Sequence, residues 1–284
     1  MTESQTVPLN SVNTNVGAMQ ALQVFAAINA EMAEVQNRIS TGLRVSGPKD
    51  NPAVWAIAQN QRAQVSSLDA VKGSLQRGQS IADVAITAGE SISDIVGQMK
   101  ALALAALDYP AGDPSRDALN DQYVSLRHLI DTTANNATFG GISLIGAGSN
   151  GSIRALANAD ATQTIDVDHM DLTTGGAALA GLPADLTAVT TTDLDAIGVA
   201  ERAVNSAVSK LGTGSKGLDT HLAFIGKLQD TIQASIGNLV DADLARESAR
   251  LEALKVRQQL AIVAMRIAND APSMLLQLFQ FNKR

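Results

Sequence analysis

Three histidines, His128, His169 and His221, are the side chains of this sequence best suited to acid–base or metal chemistry. They are scattered, and no two stand at the spacing of a ligand pair, so each reads as a surface or structural histidine. Asp166, Asp168 and Asp171, acids close together in sequence, invite a calcium-loop reading. That loop requires a central glycine and a distal glutamate, which are missing, so the three carboxylates read as a solvated strand edge. "GTGSKG", residues 212 to 217, offers glycines and Lys216 but not phosphate-loop spacing: Leu218 follows Gly217 where Lys and then Ser or Thr are needed. A joint between two helices is the expectation there. With no cysteine, thiolate and disulfide chemistry are excluded. The chain is read as a non-enzyme with no cofactor and no bound metal.

The elements that carry these residues point the same way. Of the 284 residues, 45% are hydrophobic but only 3% are aromatic, so Ala, Val, Leu and Ile dominate. Such a composition suits narrow helical seams better than a thick globular core. Twenty-one basic against 28 acidic residues give a net charge of −7, which argues against nucleic acid or an anionic membrane as partner. The first thirty or so residues lack the basic start and compact apolar run of a secretory signal. Residues 4 to 30 carry no charge at all, yet Asn10, Asn13, Asn15, Gln20, Gln23 and Asn29 interrupt them too often for membrane insertion. A segment so free of charge has to be buried against protein.

Phe25, Ile28, Met32, Val35 and Ile39 recur at steps of three and four, the seam of a coiled coil. The seam stops at a joint containing Gly42, Gly47 and Pro48. Asn51 as N-cap and Pro52 at the first helical position restart the chain. A very long helix then runs to about Pro110, and another opens at Asp113 and Pro114 and ends near Asn135 and Asn136. From about 137 to 192 glycines and the alternating "TQTIDVDH" predict a small β-rich insert. Helices return from Leu194 to Leu239, and a second joint, "VDAD" with Asp241 and Asp243, precedes a last helix carrying Val256, Leu260, Val263, Ile267, Met274 and Leu278. The expected fold is mainly α: an elongated antiparallel bundle of long helices, with the N- and C-terminal helices paired as a coiled coil. Such a pair leaves apolar faces wet, and further copies of the chain would cover them.

"LNSVNTN", "RISTGLRVSGPKDNPAVWAIA", "SLQRGQSIADVA", "NATFGGISLI", "VDADLARESARL" and "QQLAIVAMRIANDAPSMLLQLF" fall in an order that resembles bacterial flagellin, over everything except roughly residues 147 to 195. The resemblance implies a structural subunit of the flagellar filament, extracellular, exported by the flagellar type III system and self-assembling into a helical tube. Four regions follow from it. Residues 1–41 and 258–284 form a terminal inner-tube domain, and 42–51 with 240–257 form the spoke. Residues 52–146 and 194–239 form the outer-tube domain, and 147–193 form a short exposed insert.

The implied partners are other copies of the chain or other flagellins, the hook-associated junction and cap proteins, the export apparatus and an export chaperone. If the chain is glycosylated, as some flagellins are, Thr173, Thr174, Thr190 and Thr191 of the insert are the expected acceptors. Flagellins detected by the vertebrate Toll-like receptor carry an arginine and a glutamate three residues apart on the outer-tube helix. Here Gln98 and Ala101 stand at those positions, with Lys100 as a neighbouring positive charge, so weak recognition is expected. Two other readings are a hook–filament junction protein, which shares the terminal helices, and a cytoplasmic coiled-coil scaffold.

Overall fold

The computed structural model describes residues 14–148 and 152–281, with side chains as far as Asp270. Its elements run α1 (Val16–Thr41), α2 (Pro52–Ala106), α3 (Pro114–Asn136), β1 (Ile153–Leu156), β2 (Thr164–Val167), α4 (Thr191–Val240) and α5 (Leu244–Phe281). The capping chemistry explains most of the boundaries. Asn15 accepts from the Ala18 amide at the start of α1, and Gly42 ends that helix with a left-handed φ of 71° that suits a residue without Cβ. Asn51 accepts from the Val54 amide ahead of Pro52, and Asp113 accepts from Ser115 ahead of Pro114.

The chain divides into two compact units. The first comprises Met1–Arg62 and Gln233–Arg284, and the second Ala63–Ile232. In the first unit α1 and α5 lie antiparallel, since partners on α5 fall in number as those on α1 rise: Asn15 with Ala268, Asn29 with Gln258, Glu31 with Arg250, Arg38 with Glu247. In the second unit α2 and α4 also run antiparallel. Lys100 meets Glu201 at 2.8 Å, Ser93 meets Asn205 at 2.7 Å, Asp83 meets Ser215 at 3.0 Å and Asp69 meets Gln229 at 2.8 Å. Leu75, Ile92, Met99, Tyr123, Ile130, Ile197, Val204, Leu211 and Leu218 are fully buried in this unit. Each such side chain contributes roughly 1.5–3 kcal/mol of transfer free energy.

The expected joint at residues 212 to 217 is not there: α4 is continuous from Thr191 to Val240. Leu211 and Leu218 anchor both flanks in the core. That burial offsets the roughly 1 kcal/mol a helical glycine costs. Gly214 also has a packing reason, because a Cβ there would lie 3.0 Å from the side chain of Val167 on β2. The glycine is a seat for the hairpin. The insert holds one antiparallel hairpin, with Ile153 opposite Val167 and Leu156 opposite Thr164. Around it the insert is built of turns, which hydrogen-bond back onto α3.

That docking is mostly polar. Arg116, buried on α3, donates to the carbonyls of Leu186 (2.9 Å), Tyr109 (3.3 Å) and Val189 (3.3 Å). Asn120 accepts from the Leu186 amide, the Tyr123 hydroxyl donates to Pro183, and Asp131 accepts from both the amide and the hydroxyl of Thr174. Burial raises the Tyr123 hydroxyl well above the ordinary tyrosine value, so it stays protonated as the donor this contact needs.

Candidate self-assembly surface

The chemistry-bearing residues of the insert serve the fold. His169 donates from Nε2 to the carbonyl of Gly146 at 3.0 Å, and His221 to that of Ala157 at 2.7 Å. His128 is exposed on α3. Asp166 faces Arg154 across the hairpin at 3.6 Å, Asp168 accepts from Ser152, and Asp171 accepts from the amide and hydroxyl of Thr173. The three carboxylates therefore look to three different partners. Among the described residues no cluster of three metal-ligating side chains occurs, and no helix is long and apolar enough to cross a membrane.

What stands out is apolar surface on the terminal helices. On α1, Val35 is 1% exposed, and Phe25, Ile28, Met32 and Ile39 are half-buried along the same face. The facing seam of α5 is Leu251, Leu254, Gln258, Ala261, Met265 and Ala268. This corrects the seam expected for α5: Val256, Leu260, Val263 and Ile267 point away from α1, with Ile267 66% exposed. The reason is that α5 has two apolar stripes, and Val256 lies two residues, roughly 200° of helix rotation, beyond Leu254. A three-and-four rhythm cannot say which stripe meets α1. Met274 and Leu278 belong to α5, but their side chains lie outside the described residues. Met19, Leu22 and Val24 add exposed apolar surface on α1.

The joint holds the two terminal helices to the long ones by backbone pairing. The Arg44 and Val45 amides donate to the Val240 carbonyl at 2.7 and 3.2 Å, the Ala242 amide donates to Gly42 at 2.9 Å, and Leu43 bridges Asp241. The Arg44 guanidinium donates to Leu239, and Asp243 caps α5 by accepting from the Ala245 and Arg246 amides. Between Gly47 and Pro52, Asp50 turns the chain by accepting from the Ser46 hydroxyl and amide and from the Gly47 amide. These hydrogen bonds hold its carboxyl below the ordinary aspartate value. Asp50 is the residue that turns the joint, and periodicity did not single it out. The signal was present in Ser46 four residues before an acid in a Gly-Pro turn.

The modification sites separate into two kinds. Thr173 is 5% exposed with its hydroxyl held by Asp171, and the Thr174 hydroxyl is held by Asp131. Burial removes Thr173 from the surface, and Thr174 is half-buried. Thr190 and Thr191 are exposed at the start of α4, where the amide and hydroxyl of Thr190 both donate to Asp193. On α2, Gln98 and Ala101 are exposed, while the Lys100 ammonium is engaged by Glu201.

The family model described as bacterial flagellin N-terminal helical region matches residues 12–150, and that of the C-terminal helical region matches residues 194–279. Flagellin FljM of Caulobacter vibrioides is 47% identical over 275 residues, covering 96% of this chain and 99% of that protein. A flagellin of Brucella melitensis is 33% identical over 283 residues, covering 95% of this chain and 99% of its own length. The crystal structure of Bacillus cereus flagellin aligns at 21% identity with a TM-score of 0.35, over 62% of this chain and 93% of that one. By its paired terminal helices, its two family-model matches and its near full-length relatives, this chain belongs to the bacterial flagellin family.

Proposed function

We propose that the protein is a structural subunit of the bacterial flagellar filament, located outside the cell and self-assembling with copies of itself or of other flagellins. The observation that carries this reading is the second apolar stripe of α5, Val256, Leu260, Val263 and Ile267, left uncovered by α1. Four large aliphatic side chains in a row on one helix face are surface that a single copy does not bury, and neighbouring copies would bury it. Residues 1–41 and 258–284 act as the inner tube, the joint as the spoke, the long helices as the outer tube and residues 147–193 as the exposed surface. The subunit leaves the cell through the flagellar type III channel with an export chaperone and meets the junction and cap proteins at the growing end. Its role is structural, with no reaction to perform.

Full-length likeness to flagellins supports this reading over a hook–filament junction protein. The test is to shear surface filaments from the cells and identify their subunits by mass spectrometry. Presence along the whole filament is expected; confinement to one zone near the hook would favour the junction reading, and retention in the cell would overturn both.

A further inference from the structure

Along residues 256 to 268, the face of α5 that meets α1 is the less apolar of its two. The inner face carries Gln258, Ala261, Met265 and Ala268, whereas the outer stripe is Val256, Leu260, Val263 and Ile267, all large aliphatic side chains and all exposed. Buried area alone would turn α5 about its axis by roughly half a turn and lay the aliphatic stripe on α1. Something in the seam opposes that choice.

Two amides meet inside it. Asn29, half-buried beside Ile28 on α1, accepts at Oδ1 a hydrogen bond of 2.6 Å from the Nε2 of half-buried Gln258. With α5 turned, Val256 and Leu260 would stand at this level and Asn29 would face aliphatic carbon. An amide oxygen closed into an apolar seam without a donor gives up its water for nothing, and that loss exceeds what the bond contributes when it is made. The ion pairs Glu31–Arg250 and Arg38–Glu247 also join α1 to α5, but salt screens charged pairs and leaves a neutral amide pair unchanged.

We infer that the Asn29–Gln258 pair is the specificity determinant of the terminal helices: it selects which face of α5 meets α1, pinning the weaker stripe inward and keeping the aliphatic stripe outward. A single polar position in a coiled-coil seam sets pairing in this way, at a cost in stability. The pair therefore decides the arrangement more than it strengthens it. Leucines in place of both amides would make the seam more apolar and at the same time remove the reason to prefer this face. The choice of face belongs to the single chain; only the use of the stripe so reserved rests on the filament reading.

The experiment uses the full-length chain, which has no cysteine of its own, as dilute monomer. Gly17→Cys with Ala268→Cys reports the observed face, because a Cβ at Gly17 would lie 3.7 Å from that of Ala268, close to the roughly 3.8 Å of a disulfide. Ala21→Cys with Val263→Cys, four residues on along α1 and five back along α5, reports the turned face. On oxidation the parent is expected to form the first cross-link and not the second. Asn29→Leu with Gln258→Leu is expected to shift the ratio toward the second by about ten-fold or more, the weight of one stranded amide, and to lower the yield of filaments. Asn29→Gln with Gln258→Asn retains an amide pair and is expected to hold the ratio within about three-fold of the parent. A leucine variant that still cross-links only on the observed face would overturn the inference, since the joint alone would then hold α5, and would leave the filament reading intact. A swapped pair that behaves like the leucines would overturn it as well. A ratio that shifts with the leucines and returns with the swap, in a chain whose parent forms no filaments, would sustain the inference and remove the filament reading.

Discussion

The Nε of Arg116 donates to the carbonyl oxygen of Leu186, 70 residues further along the chain, and among the described residues this buried guanidinium forms no ion pair. Its other nitrogens reach Tyr109 and Val189, so one side chain ties the α2–α3 turn and the end of the insert to α3. Arg116→Met keeps the apolar stem and abandons three carbonyls. A loss of about 2–4 kcal/mol is expected in urea unfolding, with Arg116→Lys recovering only part because an ammonium has no planar fork. Unchanged stability in the Met variant would refute the anchoring role.

Ile267 and Leu254 lie on opposite stripes of α5, which predicts opposite outcomes for one chemical change. Ile267→Asp puts a carboxylate where the single chain is open to water, so monomer stability should stay within about 0.5 kcal/mol while polymerisation fails. Leu254→Asp buries a charge against α1 and should cost several kcal/mol in the monomer itself. Thermal unfolding and sedimentation of both variants make the comparison; normal filaments from Ile267→Asp would count against a covered outer stripe.

The turn at Asp50 should respond to acid. Its native carboxyl lies below the ordinary aspartate value, so its contribution is complete at neutral pH and disappears as pH falls through that lowered native value. The amide resonances of Ser46 and Gly47 are expected to titrate together with it, at a pH below that of a free aspartate. Asp50→Ala abolishes the joint titration. Independent titration of the two amides would separate them from Asp50.

Receptor recognition should be poor. Gln98 and Ala101 supply neither the fork nor the carboxylate of recognised flagellins, and Lys100 is already spent on Glu201. Two charge-assisted hydrogen bonds lost at ~1.5–3 kcal/mol each correspond to two or more orders of magnitude in affinity. Soluble monomer should therefore activate Toll-like-receptor-expressing cells weakly, and Gln98→Arg with Ala101→Glu should restore part of the signal. Strong activation by the unmodified chain would refute this.

If the filament protein carries sugar, peptide mapping should find it on Thr190 or Thr191, where the chain is open, and not on Thr173, whose hydroxyl is enclosed with Asp171. Occupancy at Thr173 would mean that the insert opens before modification.

The helix ends were legible in the sequence because capping is local: Asn51 before Pro52 and Asp113 before Pro114 each decide their boundary within four residues. The core stripes of α2 and α4 were legible for the same reason, since Ile92, Met99, Ile197 and Val204 each continue a single apolar rhythm. Three features were not. The glycines from 212 to 217 read as a joint because their reason, the approach of Val167 to Gly214, comes from a strand far away in sequence. The two stripes of α5 were equivalent until α1 chose one. Thr173 and Thr174 read as surface because their acceptors, Asp171 and Asp131, are revealed only by how the insert folds onto α3.

Asn15 donates to the carbonyl of Ala268 across 253 residues of sequence, and this separation sets an order of events during synthesis. Because α1 is paired with α5, α1 has no partner until the chain has been made as far as α5. The contacts of Asp69 with Gln229 and of Lys100 with Glu201 become available earlier and draw α2 and α4 together, which shortens the loop that α1 and α5 must close. A chain cut short before α5 would keep a folded second unit and have nothing for Phe25, Ile28, Met32 and Val35 to meet. Pairing of α1 with α5 is thus a late event in synthesis: only a chain that already includes α5 can cover the seam of α1.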